Sequence, residues 1–108
     1  MKSEHDIQNE IRLALSAQGY CVFRINSGKV KMADGRWFET GVPKGFSDLV
    51  AIKDGLISFI EVKNEVGRPS TEQIKFIEVM RNRYGCRAGI ARSAEDALKI
   101  VKGENDGR

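Results

Sequence analysis

The sequence predicts an α/β (α+β) fold in which helices pack on a small mixed β-sheet. Three segments have apolar residues at helical spacing, and each begins at a serine that can cap a helix. Short apolar or alternating runs, which are typical of strands, lie between these segments. The predicted element order is α-β-(arm)-β-β-α-β-α. The chain has 108 residues, 41% hydrophobic and 31% charged, so we expect one globular domain over residues 1–108.

The amino-terminal segment is predicted to be helical from residue 3 to about 18, because Ile7, Ile11 and Leu15 recur at helical spacing. Alternating side chains over residues 20–25 then predict a strand. A glycine between the two segments is suited to ending the helix.

Residues 26–46 break the regular pattern. They contain four glycines, and the Ala33-Asp34-Gly35 turn separates short apolar pieces at 30–32 and 37–38. Five basic residues lie in or beside this stretch: Arg24, Lys29, Lys31, Arg36 and Lys44. We therefore expect a basic hairpin or flexible arm at about 26–46, suited to a polyanionic partner such as nucleic acid.

The dipeptide Asp54-Gly55 joins two strand candidates, residues 48–53 and 56–63. It is one of the strongest signals for a two-residue β-hairpin loop. Such a loop fixes the pairing of the strands, because Lys53 must then face Leu56 and every later pair follows in register.

The remaining elements follow from caps and periodicity. Ser70 and Gln73 match a capping box at the start of a helix that ends near residue 84. A short strand is predicted over 86–91, and Ser93 caps a last helix.

Net charge and cysteine usage restrict the class of protein. Lys plus Arg exceed Asp plus Glu by 18 to 15, and the resulting formal charge of +3 weakly favours polyanionic partners. Cys21 and Cys86 lack the close spacing of a zinc or redox site, and we interpret them as reduced core thiols. The charged amino terminus and short aliphatic runs argue against a signal peptide or membrane span, so we expect a cytoplasmic location.

The hairpin register brings two carboxylates face to face. Asp48 falls opposite Glu61, where Cβ atoms are about 4.5–5.5 Å apart and like charges destabilise a sheet. Lys63 lies on the same face as Glu61, roughly 6.5–7 Å along the strand. Alternatively, Glu61 and Lys63 form a surface ion pair and Asp48 is a cap or turn residue.

A divalent cation bound by hard oxygens would compensate for two adjacent carboxylates. Mg²⁺ or Mn²⁺ held by Asp48 and Glu61, with the backbone carbonyl of Val62 as a further ligand, is suited to phosphodiester hydrolysis. Lys63 would orient the attacking water and stabilise charge that builds on the phosphate.

The segments "GFSD" at 45–48 and "EVK" at 61–63 resemble the signature of the PD-(D/E)XK nuclease superfamily. "RINSG" at 24–28 and "EVKNEVGRPSTEQ" at 61–73 are similar to its VRR-NUC branch. The resemblance implies a restriction-endonuclease-like core and metal-dependent DNA cleavage by the aspartate, glutamate and lysine of these motifs. One departure is Ser47, where family members usually have proline.

The resemblance also implies further site residues. An acid on the first helix is expected near the metal, and we favour Glu4 over the competing Glu10. Gln8, on the same helical stripe as Glu4, would bind through water or touch DNA. Gln73 matches the family's active-site glutamine, in addition to its capping role, and Ser27 would approach phosphate.

Small, self-standing relatives of this branch, typically from phages, resemble Holliday-junction resolvases that act as dimers. This implies a homodimer that nicks four-way junctions in the host cell cytoplasm, with backbone contacts from Arg24, Lys29, Lys31, Arg36 and Lys44. Two alternatives stay open: a flap or restriction-type nuclease of the same superfamily, and a non-catalytic DNA-binding module.

Overall fold

The computed structural model describes residues 1–104 and contains helices and strands in the predicted order. The elements are α1 (Glu4–Ala17), β1 (Cys21–Arg24), β2 (Lys29–Lys31), β3 (Trp37–Glu39), β4 (Leu49–Lys53), β5 (Leu56–Val62), α2 (Thr71–Asn82), β6 (Arg87–Ala91) and α3 (Ala94–Val101). The predicted arm contains the β2 and β3 strands. The α/β class, with a small mixed sheet flanked by helices, is confirmed.

The main sheet has the strand order β1-β4-β5-β6. The β1, β4 and β5 strands are antiparallel, whereas β5 and β6 are parallel and are joined through α2. The register from Lys53 opposite Leu56 to Leu49 opposite Ile60 is the predicted one. Asp54 and Gly55 both have positive φ, 53° and 77°, as a type I′ turn requires. The local turn therefore sets the pairing of the two central strands.

One face of the sheet carries the hydrophobic core. Helices α1 and α3 pack together on this face, where Ser58, Ile60 and Val62 of β5 are buried. The cluster consists of Ile7, Ile11, Leu15, Leu49, Ala51, Ile60, Val62, Ala91, Ala97, Ile100 and Val101. Because side chains alternate along a strand, the odd-numbered residues of β5 face the opposite side, where α2 lies.

Helix α2 is held to the sheet by aromatic side chains. Phe76 of the helix lies 5.4 Å from Phe59 of β5 and 4.6 Å from Phe46, measured between ring centroids. Gly45 has a φ of 94° and approaches the helix so closely that an added Cβ would be 2.8 Å from the Glu72 carbonyl. These contacts fix the chain just before β4.

The three predicted serine caps are present. The hydroxyls of Ser3, Ser70 and Ser93 each accept a hydrogen bond from a backbone N–H in the first turn of their helix. The full capping box of Ser70 and Gln73 is formed as well. Each helix start is thus encoded by its own neighbouring residues.

The interpretation of the cysteines as core thiols was wrong. Cys21 is exposed and Cys86 is only half-buried. Helix α2 packs on β5 and β6, which leaves the same face of the edge strand β1 open. Phe23, which lies on that open face with Cys21, is accordingly 51% exposed.

The β2-β3 hairpin forms a separate two-stranded sheet, in which Val30 faces Phe38. Its base is tied by hydrogen bonds from the Gly28 N–H to the Val42 carbonyl, 2.7 Å, and from the Thr40 N–H to the Gly28 carbonyl, 3.0 Å. The prediction of a hairpin at this place is confirmed. Over residues 1–104, every helix is too short or too polar to cross a membrane.

Candidate active site

Asp48 lies at the point where the β4-β5 ladder stops. Its carboxylate Oδ2 accepts a hydrogen bond from the Val62 N–H at 2.9 Å, in place of a further backbone acceptor. Its carbonyl accepts one from the Ile25 N–H at 2.8 Å. Asp48 is therefore held between β5 and the chain that leaves β1, opposite Glu61 as the register predicts.

Glu61 is buried, with 2% of its surface exposed. Its Oε2 accepts a hydrogen bond from Gln73 Nε2 at 3.0 Å and lies 3.5 Å from Lys63 Nζ. Its Oε1 is buried and has no hydrogen-bond partner among residues 1–104. One oxygen of this carboxylate is thus positioned by two side chains, and the other is free for a ligand.

The pKa of Glu61 is raised from 4.5 to about 8, mainly by burial and also by the neighbouring Asp48 carboxylate. Lys63 acts in the opposite direction without cancelling the increase. Such a carboxyl group is largely protonated at neutral pH unless a cation compensates its charge. The sequence left open a surface ion pair of Glu61 and Lys63. That alternative is wrong, because Glu61 is inside the protein.

Gln73 combines the two roles that the sequence suggested. Its Oε1 accepts a hydrogen bond from the Ser70 N–H at 2.8 Å, which completes the capping box. Its Nε2 points to Glu61. The cap fixes the side chain at the start of α2 and thereby aims the amide at the carboxylate.

Glu4, rather than Glu10, lies near this group of residues. A Cβ added to Gly67 would be 2.5 Å from Glu4 Oε2 and 3.4 Å from Lys63 Cδ, so the two side chains flank the same glycine. Glu10 instead pairs with Lys2 at 2.7 Å on the surface.

The donor atoms suit a hard divalent cation. Asp48 and Glu61 supply carboxylate oxygens, one of them unpartnered. Val62 is extended, so its carbonyl points to the same side as its N–H, toward Asp48. Within residues 1–104, however, no three His, Cys, Asp or Glu side chains are grouped closely enough to hold a metal. Glu4 stays a predicted additional ligand, and its carboxylate lies against Gly67.

The predicted DNA-binding residues fall into three groups. Ser27, Lys29 and Lys44 line one cavity of about 530 Å³ at the base of the hairpin. Arg24 and Lys31 are exposed outside this cavity, and Arg36, at the hairpin tip, pairs with Asp34 at 2.7 Å.

Gln8 is almost fully buried. It is 9% exposed, and its Oε1 is buried without a hydrogen-bond partner among residues 1–104. Its contact with DNA, directly or through water, stays a prediction.

Several residues support the site in ways that the sequence analysis did not predict. The buried Ser47 hydroxyl donates to the Leu49 carbonyl at 3.1 Å, which replaces the rigidity of a proline with a hydrogen bond. Phe46 anchors the chain before Asp48 on α2. Arg92 reaches the loop after Lys63 from the far end of β6. The contacts of Phe46 and Arg92 join residues that are distant in sequence, so no local pattern indicates them.

A mixed sheet whose central hairpin ends in an opposed aspartate and glutamate, with a lysine and a helix-borne glutamine on the glutamate, defines a nuclease of the PD-(D/E)XK superfamily. The family model of the VRR-NUC domain matches residues 2–95, and the chain belongs to this family. A solved structure described as "VRR_NUC domain" is similar, with a TM-score of 0.68 and 23% identity over 97% of this chain and 100% of the other. Comparison with curated proteins gives no match.

Proposed function

We propose that this chain is a divalent-metal-dependent endonuclease that cuts branched DNA, with four-way junctions as its substrate, and that it acts as a homodimer. The observation that carries the proposal is the opposition of Asp48 and the buried Glu61 beside Lys63. If the pair had no function, the fold would bear the free-energy cost of burying a carboxylate and of the repulsion between the two acids.

The side chains have separate tasks in the proposed reaction. Asp48, Glu61 and the Val62 carbonyl would hold Mg²⁺ or Mn²⁺, with Glu4 as a further ligand, and the bound ion would polarise a phosphoryl oxygen and lower the pKa of water. Lys63, whose side chain is 13% exposed, directs its ammonium group at the charge that develops on the phosphate. Gln73 keeps the Glu61 carboxylate in one orientation through the bond to Oε2.

The basic residues support binding to the phosphate backbone. Lys29 and Lys44 border the same cavity, and Arg24 and Lys31 are exposed nearby in sequence. Such contacts position DNA without reading its sequence. We therefore propose that recognition depends on the shape of the DNA and weakens steeply as the salt concentration rises.

The proposed homodimer is supported by an open apolar surface that adjoins the site. Phe23, 51% exposed, and Ile57, 41% exposed, lie on the same sheet face as Asp48 and Glu61. The β2-β3 hairpin carries two further exposed aromatic side chains, Trp37 at 64% and Phe38 at 49% exposure, on its two opposite faces. A second copy that covers this surface would place two active sites together, as paired cuts in a junction require.

The test compares cleavage of a synthetic four-way junction, a flap and a plain duplex by the same protein in Mg²⁺ or Mn²⁺. We expect symmetric cleavage of the junction, and a loss of at least ~100-fold in Asp48→Ala and Lys63→Ala. Preferred cleavage of the flap or the duplex would support a different nuclease of the superfamily. A protein that binds DNA but cleaves none of these substrates would be a non-catalytic DNA-binding module. Calorimetric titration with Mn²⁺ would then give the same heat for the wild-type protein and for Glu61→Ala.

A further inference from the structure

The loop after Lys63 packs directly against Glu4. It connects β5 to α2, and its residue Gly67 touches the helix α1 carboxylate so closely that an added Cβ would be 2.5 Å from Glu4 Oε2. The same Cβ would be 3.4 Å from Lys63 Cδ. Gly67 therefore lies against both side chains, so a shift of this loop would change the space that Glu4 and Lys63 occupy.

Residues 64–67, here called the clamp loop, form a closed turn. Asn64 Oδ1 accepts hydrogen bonds from the N–H groups of Val66, at 3.2 Å, and Gly67, at 2.7 Å. These bonds fix the shape of the loop, but they do not attach it to the rest of the protein.

Arg92 makes this attachment. Its Nη1 donates to the carbonyls of Asn64, at 2.5 Å, and Gly67, at 2.8 Å, which are the first and last residues of the clamp loop. A guanidinium nitrogen carries two N–H groups in a fixed plane, so one nitrogen can bind both carbonyls.

The peptide group that joins Ala91 to Arg92 is itself fixed through both its carbonyl and its N–H. The Ala91 carbonyl accepts a hydrogen bond from the Lys63 N–H at 3.1 Å, and the Arg92 N–H donates to Asp96 Oδ2 at 2.9 Å in the first turn of α3. Arg92 therefore links the end of β6 and the start of α3 to both ends of the clamp loop.

We infer that Arg92 is a positioning residue for the nuclease reaction, which it supports by holding Glu4 and Lys63 in place through the clamp loop. The inference rests on the proposed function. Arg92 contacts neither Asp48 nor Glu61 by a hydrogen bond in the described structure, so its effect is indirect. Displacement of a reacting group by about 1 Å can reduce a rate ~100-fold.

The kinetic test uses Arg92→Ala and Arg92→Lys, with Arg83→Ala as the matched control, because Arg83 is an exposed arginine at the far end of α2. We expect Arg92→Ala to lower kcat by roughly 10- to 100-fold while KM changes by less than about twofold. Arg92→Lys, whose ammonium retains hydrogen-bond donors, recovers part of kcat. Equal kcat in Arg92→Ala and Arg83→Ala would overturn the inference.

Coupling to Glu4 separates positioning from general support of the fold. In a Glu4→Gln background, where the acid is already absent, we expect Arg92→Ala to reduce kcat much less than it does in the wild-type chain. If the loss of kcat in the double variant equals the product of the two single losses within about twofold, Glu4 and Arg92 act independently. That result would contradict a shared role. Arg92→Lys enters the same cycle in case Arg92→Ala does not fold.

Amide hydrogen exchange of the metal-free, DNA-free protein supplies a measurement that does not depend on activity. Arg92→Ala is expected to speed exchange at Val66 and Gly67 at least ~10-fold, with the Ile60 amide in the central strand unchanged. Unaltered exchange at Val66 and Gly67 would overturn the clamp even if wild-type protein cleaves DNA. If the wild-type protein cleaves no DNA, the proposed function fails, and the exchange result still decides whether Arg92 holds the loop.

Discussion

At the scale of single residues, Glu61 combines burial, a neighbouring carboxylate and an unpartnered oxygen. Burial is the larger cause of its raised pKa, and Asp48 adds to it. Gln73 and Lys63 bind one oxygen, so the carboxylate is oriented even while its charge is poorly stabilised. A bound cation would relieve this cost, and the same group that reduces the stability of the metal-free protein would then serve the reaction.

This environment predicts a pH dependence of stability. Between pH 4.5 and about 8 the folded protein keeps a proton on Glu61 that the unfolded chain releases, so the free energy of unfolding falls as pH rises through this window. Each unit of pKa difference corresponds to about 1.4 kcal/mol, which gives an effect on the order of a few kcal/mol. Glu61→Gln should remove this fall, measured as the difference between the two proteins in urea unfolding at several pH values.

The metal-free state provides the control for this prediction. At pH 8, Mg²⁺ should raise the unfolding midpoint of the wild-type protein and leave that of Glu61→Gln nearly unchanged. Parallel pH profiles for the two proteins would show that Glu61 titrates normally.

At the scale of elements, the start of α2 carries both structure and chemistry. Ser70 and Gln73 form a reciprocal cap, and the same glutamine reaches Glu61 across to β5. Because the helix start is fixed locally, the amide needs no further support to stay aimed at the carboxylate. The two functions of Gln73 can be separated by comparing it with its capping partner.

Ser70→Ala and Gln73→Ala form a matched pair. Each removes one bond of the cap, so both should lower the free energy of unfolding by about 1 kcal/mol. Only Gln73→Ala removes the hydrogen bond to Glu61, so only this variant should reduce kcat substantially. Stability by urea unfolding and cleavage rate under saturating DNA provide the two measurements. Equal losses of activity in both variants would assign Gln73 to the cap alone.

The contact between Gly45 and α2 offers a second prediction at this scale. Gly45→Ala must strain a positive φ and also push an added methyl into the Glu72 backbone at 2.8 Å. Gly41→Ala is the control, since Gly41 has a φ of 82° with nothing within 4 Å of an added Cβ. We expect a loss of about 1 kcal/mol for Gly41→Ala and clearly more for Gly45→Ala, by urea unfolding. Similar losses would mean that the segment before Asp48 can move away from α2.

At the scale of the whole molecule, the two faces of the sheet differ in how they are covered. Helices α1 and α3 bury one face, whereas α2 covers only the β5-β6 half of the other. The open half carries Phe23 and continues into the face with Asp48. A domain of this size buries a modest share of its surface, so covering the open half with a second copy would add stability.

Phe23→Asp tests this surface, with Leu13→Asp as the control, because Leu13 is 73% exposed on α1 and away from the open face. Phe23→Asp should raise the dissociation constant of the proposed dimer at least ~10-fold in sedimentation equilibrium, and Leu13→Asp should not. In the monomeric variant we expect the two junction cuts to become independent nicks. An unchanged dimer in Phe23→Asp would exclude this face as the interface.

Local chemistry let the sequence predict much of the fold and the centre of the site. The Asp54-Gly55 turn set the register, because a two-residue loop permits one pairing and side chains alternate along each strand. That pairing places Asp48 opposite Glu61 without any information on long-range contacts. The serine caps likewise depend on residues within one helical turn.

What the sequence determined by itself about this protein is thus the order of its elements, the hairpin register and the facing carboxylates, all of which follow from neighbouring residues. Only the tertiary structure decided that Glu4 rather than Glu10 flanks Lys63, that Gln8 and not Cys21 is buried, and that Arg92 holds the clamp loop. These outcomes depend on which layers cover which face of the sheet, and packing between distant segments leaves no short-range signal in the chain.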